Sequence, residues 1–103
     1  MATGILGQVS PAATTNTTVY TVPAAKTATF NVSIANTTGN LVAIRLAVSG
    51  TGSPANTEYL EYDTVIAANG VLERTGIVAQ ATKNVVVYAS TAGTSVSVYG
   101  YEE

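Results

Sequence analysis

A short run of carboxylates contains the first side chains in this sequence that could do chemistry. Glu58, Glu61 and Asp63 lie within six residues of one another, and Glu73 follows on the next predicted strand. Paired carboxylates can act as acid and base in glycoside hydrolysis, or they can bind Ca²⁺. The spacing does not fit an EF-hand, and the alternative is a solvated acidic sheet face. We favour that alternative, with Arg74 pairing one of these acids across a turn at Asn69-Gly70.

The chain lacks most of the other residue types and motifs that enzymes use in catalysis. The chain has no His and no Cys, which removes the commonest proton shuttle, the commonest metal ligand and the most reactive nucleophile. It also lacks a G-x-S-x-G elbow, an S-x-x-K motif, a dinucleotide-binding glycine pattern and a P-loop. We therefore expect a protein that is not an enzyme, with no catalytic residue, no cofactor and no bound metal.

The few charges also narrow the range of partners. Four basic and six acidic residues give a net charge of −2, and the basic residues are scattered along the chain. Nucleic-acid binding usually needs a basic patch, so we expect no nucleic-acid partner. The longest apolar run covers only residues 85–89, against the ~20 residues of a membrane-spanning helix. The first residues lack a basic n-region, so we expect neither a signal peptide nor a membrane contact.

Tyrosine is the main candidate for binding chemistry, with six Tyr against one Phe. Tyr99 and Tyr101 alternate with Val96 and Val98, so they point outward if those valines are in the core. Outward tyrosines are typical of protein interfaces and of surfaces that stack on sugars. The alternative is that they cover the rim of their own core.

The elements that carry these residues are strands, because apolar and polar residues alternate with a period of two. The pattern predicts a short strand at 16–22 and three β-hairpins with short turns. The hairpins pair residues 26–36 with 41–49, 58–66 with 71–77, and 85–90 with 95–101.

About seven to eight such strands predict an all-β fold, a single antiparallel β-sandwich that is Ig-like or jelly-roll-like. We expect residues 16–103 to form this domain. Residues 1–15 form either an ordered first strand or an N-terminal arm that folds onto a partner. Their aliphatic residues Ile5, Leu6 and Val9, together with Tyr99 and Tyr101, are the candidate partner-binding residues.

Several phrases of the sequence resemble a family of small β-sandwich virion proteins of tailed bacteriophages. They are TVYTVPAAKTA from Thr18, EYLEYDTVIAANG from Glu58, ERTGI from Glu73 and VVYAS from Val86. The resemblance covers residues 17–100. One departure is Ala25, where the family often has Gly, and this affects the turn before Lys26.

The resemblance implies a structural component of a phage particle. We expect a capsid decoration (cement) protein on the virion surface that binds the major capsid protein or other virion proteins and self-associates as a dimer or trimer. The alternative is a neck, tail or baseplate module that binds host surface glycans. We also expect deletion of residues 1–11 to abolish particle binding while the domain stays folded.

Overall fold

The computed structural model describes residues 3–103 and contains eight strands in two antiparallel sheets of four. A 3₁₀ turn, Asn56–Glu58, precedes the fifth strand. The strands are β1 Thr3–Val9, β2 Thr17–Thr21, β3 Ala28–Asn36, β4 Val42–Ser49, β5 Tyr59–Ile66, β6 Val71–Ala79, β7 Asn84–Ala89 and β8 Thr94–Glu102.

The strand order identifies the sandwich topology. Sheet A has the order β1-β8-β3-β6 and sheet B has the order β2-β7-β4-β5. This interleaving of eight strands over two sheets is that of a jelly roll. The all-β sandwich predicted from the sequence is confirmed, and of its two forms the jelly roll is the one that matches.

The core lies between the sheets and follows the period-two pattern of the sequence. On β3, Phe30, Val32 and Ile34 are almost fully buried, and Val96 and Val98 on β8 have no exposed surface. Burying side chains of this size gives about 1.5–3 kcal/mol each. Most core side chains therefore come from the central strands of the two sheets, β8 and β3 in sheet A and β7 and β4 in sheet B.

All three predicted hairpins are wrong. β3 and β4 lie in different sheets, and so do β5 and β6, and β7 and β8. Each predicted turn instead carries the chain across the sandwich from one sheet to the other. Within residues 3–103, the only strands that are both neighbours in sequence and paired are β4 and β5, which flank the loop at residues 50–55.

Asn36 explains one of these crossings. Its buried side-chain amide donates to the carbonyls of Asn40, Ile66 and Ala67, and its Oδ1 accepts from the Thr38 amide. This single side chain therefore ties the β3–β4 turn to the end of β5.

The other crossings at residues 23–26, 67–70 and 80–83 share one type of turn. The turns at 23–26, 67–70 and 80–83 are each closed by an amide that donates to the carbonyl three residues earlier. Their third residues, Ala25, Asn69 and Thr82, have φ of 61°, 59° and 68°. Positive φ at that position alone is typical of type II turns, whose twist does not match that of a two-stranded hairpin. Glycine at position 25 would take this conformation without strain.

Residues 3–9 form the first strand. β1 pairs with β8 along its length, and Leu6 and Val9 pack against the core. Gly7 lies so close to β2 that a Cβ there would overlap the Val19 carbonyl oxygen. Of the two sequence-based interpretations, the ordered strand holds for the described residues, and Met1 and Ala2 lie outside them. Deletion of residues 1–11 would remove an integral strand, so our expectation of a folded truncated domain does not stand.

A bulge in β5 changes which side chains share a face. Ile44 pairs with Thr64 and Leu46 pairs with Glu61, so Tyr62 and Asp63 together lie opposite Arg45. Asp63 has a φ of 53°, in the left-handed region. Bulges re-aim side chains in this way, and here two consecutive residues project from the outer face of sheet B. Among residues 3–103, no helix has the length and apolar character needed to cross a membrane.

Candidate functional site

The acidic residues do not form a cluster in the folded molecule. Glu61 turns toward the open edge between the two sheets, where its Oε2 lies 2.9 Å from Arg74 Nη1. Thr64 donates a second hydrogen bond to Glu61 Oε1 at 2.7 Å. The predicted pairing of Arg74 with one of these acids is confirmed, but it joins two sheets instead of two strands of one hairpin.

The other carboxylates of the predicted acidic face also have their own partners. Glu58 accepts hydrogen bonds from the Ala55 amide and from Ser49 Oγ, both at 2.8 Å, and these bonds lower the pKa of its carboxyl group. Asp63 Oδ1 lies 2.7 Å from Arg45 Nε. Within the described residues no three Asp or Glu side chains converge as metal ligands would. The pairing makes these acids structural elements of the sandwich.

The first candidate binding surface is the outer face of sheet A, which we call face A. Cross-strand partners share a face, so the register identifies its members. They are Thr3, Ile5 and Gln8 on β1, Ser95, Ser97, Tyr99 and Tyr101 on β8, Thr29, Asn31, Ser33 and Ala35 on β3, and Val71, Glu73 and Val78 on β6.

Face A is unusually poor in charge. Of the ten charged residues in the chain, Glu73 alone occupies a paired strand position of face A, and exposed Glu103 follows just beyond β8, opposite Thr27. The carboxylate of Glu73 accepts a hydrogen bond of 3.1 Å from Tyr99 Oη. That bond raises the pKa of the Tyr99 phenol. The exposed large apolar residues of face A are Ile5, Val71, Val78 and Tyr101. Small hydroxyl and amide side chains fill the space between them, and such a surface is desolvated at lower cost than one rich in Lys or Glu.

The candidate residues from the sequence divide into two groups. Ile5, Tyr99 and Tyr101 come together on face A, since Ile5 pairs with Tyr99 and Tyr101 lies two residues further along β8. Leu6 and Val9 turn inward and belong to the core cluster. The valines at 71 and 78 were missed. They are exposed on β6, an edge strand of sheet A. The predicted hairpin instead paired this strand with residues 58–66.

A second candidate surface lies on the opposite side of the molecule, on the outer face of sheet B, and sequence reasoning missed it. The guanidinium of Arg45 lies 4.3 Å from the ring centroid of Tyr62 and 4.4 Å from that of Tyr88. The hydrogen bond to Asp63 raises the pKa of Arg45, so the cation between the two rings is held firmly in its charged form. Such stacking orients the rings as well as the cation.

Tyr59 and Asn56 complete this second surface. The rings of Tyr59 and Tyr62 meet edge to face, with centroids 4.9 Å apart and an interplanar angle of 80°. Together with Asn56 they line an open pocket of about 280 Å³. We call these three residues the Tyr59 pocket. The spacing of the two tyrosines is no signal for it, because residues three apart on a regular strand face opposite sides. The pairing of β4 with β5 shifts a second time between Leu46 and Ala47, where Ala47 pairs with Tyr59, and this shift brings the ring of Tyr59 onto the face of Tyr62.

The chain was compared with protein-family models, with curated protein sequences and with solved structures, and none of these comparisons found a match.

Proposed function

We propose that this protein is a non-enzymatic structural protein of a bacteriophage virion, most specifically a capsid decoration protein. It binds major capsid subunits, or other virion proteins, through face A. The observation that carries the proposal is the low charge of the paired strand positions of face A, where Glu73 is the one charged residue and Ile5, Val71, Val78 and Tyr101 are exposed. The family resemblance over residues 17–100 supplies the virion context.

The mechanism is adhesive. A rigid sandwich that lies across the joint between neighbouring capsid subunits adds buried surface at a place that is strained when DNA is packaged. Apolar area removed from water contributes roughly 25 cal/mol per Å². The flat, small-residue face suits this role because it loses little side-chain entropy when it is covered. We also propose that the protein self-associates as a dimer or trimer, as repeated components of symmetric particles commonly do.

The test uses two exposed valines as a matched pair. Val78 lies on edge strand β6 of sheet A and is 63% exposed, while Val65 lies on edge strand β5 of sheet B and is 58% exposed. Val78→Lys introduces a charge into face A, and Val65→Lys introduces the same charge on the other side of the molecule. Purified variants are added to capsids of the phage that encodes the chain, from which the protein has been removed, and occupancy is measured after sedimentation.

We expect Val78→Lys to weaken capsid binding by at least about tenfold, because a lysine must be desolvated in the interface. Val65→Lys should bind like the unchanged protein. Equal occupancy by both variants would exclude face A as the capsid-binding surface. Ile5→Lys on the far edge of face A repeats the test with an independent position, since Ile5 is as exposed as Val78.

The second candidate function is a neck, tail or baseplate module that binds host surface glycans. Outward Tyr101 and half-buried Tyr99 on β8 favour it, since tyrosine rings can stack on sugars. The number of copies per particle separates the two candidates. Hundreds of copies would support a decoration protein, and about a dozen or fewer would support the neck or tail.

A further inference from the structure

The Tyr59 pocket has the chemistry of a sugar subsite. Its walls are two tyrosine rings set nearly at right angles, and its third lining residue, Asn56, is an exposed amide on the 3₁₀ turn. The ring faces attract a ligand with an apolar C–H surface, and the amide and phenol groups can bond to hydroxyls at the edge of that ligand. No charged side chain lines the pocket, and this favours a neutral ligand.

The bulge of β5 holds the pocket in place. Asp63 adopts a left-handed backbone conformation, which is unfavourable for a residue with a Cβ. As a result of the bulge at this position, Tyr62 and Asp63 both project outward. Backbone strain of this kind is commonly retained at binding sites, because surrounding contacts fix it. Here Asp63 holds Arg45 at 2.7 Å, and Arg45 in turn supports the Tyr62 ring.

The turn that carries Asn56 is fixed as well. Glu58 Oε1 accepts from the Ala55 amide and from Ser49 Oγ, so the 3₁₀ turn is tied to the end of β4. All three lining residues are therefore positioned before a ligand arrives. Pre-organisation of this kind lowers the entropy cost of binding.

We propose that Asn56, Tyr59 and Tyr62 form a subsite for one neutral hexopyranose residue of a glycan. A pyranose ring has a C–H face that stacks on a tyrosine and equatorial hydroxyls that meet the amide and phenol groups. The subsite lies on the outer face of sheet B and face A on the outer face of sheet A. A molecule attached to a particle by face A thus presents the subsite outward, and the subsite does not depend on that attachment.

The experiment is an NMR titration of the full chain with the methyl glycosides of glucose, galactose, mannose and N-acetylglucosamine, and with methyl glucuronide as an anionic probe. We expect saturable binding of at least one neutral glycoside with a Kd of about 1–10 mM, as for single sugar residues bound by few contacts. Shifted amide signals should be confined to residues 55–63 and their neighbours on β4 and β7.

Three variants distinguish binding at this subsite from nonspecific binding of the sugar elsewhere on the surface. Tyr62→Ala should weaken binding at least about tenfold, which corresponds to ~1.4 kcal/mol. Since this change also removes a ring that supports Arg45, Asn56→Ala serves as a second variant that leaves the aromatic contacts in place, and it should weaken binding as well. Leu41→Ala is the control and should leave the Kd unchanged, because Leu41 is 67% exposed and belongs neither to the pocket nor to face A.

Three results would overturn the inference. They are the absence of saturable binding by every neutral glycoside up to about 100 mM, binding by the glucuronide alone, and equal losses for Tyr62→Ala and Leu41→Ala. Capsid occupancy by Tyr62→Ala, measured in parallel, should match that of the unchanged protein. Failure of the sugar titration would therefore leave the capsid-binding proposal standing, and the reverse also holds.

Discussion

At the scale of single residues, Thr94 is the side chain whose burial is least compensated. It lies at the start of β8 with 1% of its surface exposed, and its Oγ1 has no hydrogen-bond partner among residues 3–103. A buried hydroxyl without a partner costs about 1–3 kcal/mol relative to one that is bonded. Valine has nearly the same shape and no polar atom.

We therefore expect Thr94→Val to raise the free energy of unfolding by about 1 kcal/mol, measured by urea denaturation. Thr91→Val is the control, since Thr91 is exposed in the preceding turn, and its effect should stay within about 0.5 kcal/mol. A loss of stability in Thr94→Val would mean that the hydroxyl is bonded, most simply to a bound water molecule.

Glu58 predicts a dependence of stability on pH. Its hydrogen bonds with the Ala55 amide and Ser49 hold its pKa below the ordinary value in the folded protein. A carboxyl group whose pKa is lowered by folding stabilises the protein above its unfolded pKa, about 4.3 for Glu. That contribution is lost as the pH falls through the lower pKa of the folded state.

The measurement is urea denaturation of the unchanged protein and of Glu58→Gln between about pH 7 and pH 2. We expect the unchanged protein to be more stable at neutral pH, with the difference shrinking below about pH 4.3. A difference that stays constant over this range would show that Glu58 acts through packing alone.

At the scale of elements, the close approach of β1 and β2 is a junction that tolerates no added atom. A Cβ on Gly7 would overlap the backbone oxygen of Val19, and neither strand can move without losing its partner in its own sheet. We expect Gly7→Ala to lower the free energy of unfolding by about 1–3 kcal/mol, as overpacking usually does.

Gly39→Ala is the matched control for that prediction. A Cβ on Gly39 meets nothing within 4 Å, and the residue does not have a positive φ. Its effect should remain within about 0.5 kcal/mol. Chemical denaturation gives the free energy of unfolding of both variants. Similar values would show that β1 can move away from β2 at no cost.

The elements also show how far sequence reasoning reaches. Strand positions could be predicted, because alternation such as that of Phe30, Val32 and Ile34 directly reports one buried face. Strand partners could not, because a turn signal such as Asn69-Gly70 marks a chain reversal without showing which sheet the chain enters. At the β3–β4 turn, the side-chain network of Asn36 favours a crossing over a hairpin, and it depends on residues thirty positions away. At the other crossings with closed turns, the feature is the single positive φ of the turn, which the residue types do not report.

The same limit applies to the candidate sites. Tyr99 and Tyr101 could be placed outward from the pattern of β8 alone. The Tyr59 pocket could not be predicted, because two register shifts break the period of two within β5, and the one between Tyr59 and Glu61 puts both tyrosines on one face. Strict alternation put Glu61 and Asp63 on one face, whereas in the structure they lie on opposite faces.

At the scale of the whole molecule, the sandwich separates two kinds of surface. Face A offers small uncharged side chains for contact over a wide area. The outer face of sheet B instead has Arg45, whose guanidinium stacks on two tyrosine rings and forms an ion pair with Asp63. A sandwich about 10 Å thick between sheets keeps the two surfaces apart, so each can be occupied while the other is in use.

The crossing connections have a further consequence, for the rate at which the chain folds. Sheet A joins β1 to β8, with Thr3 opposite Tyr101. In the part of the chain that the structure describes, β4–β5 is the only pair formed by strands adjacent in sequence. Folds with such distant contacts reach the native state in milliseconds to seconds. Stopped-flow refolding should therefore give rate constants below about 10³ s⁻¹, and microsecond folding would contradict this assignment of strand pairs. During synthesis, β1 and β3 must wait for β8 to leave the ribosome before sheet A can form, so the sandwich is completed only after β8 has been translated.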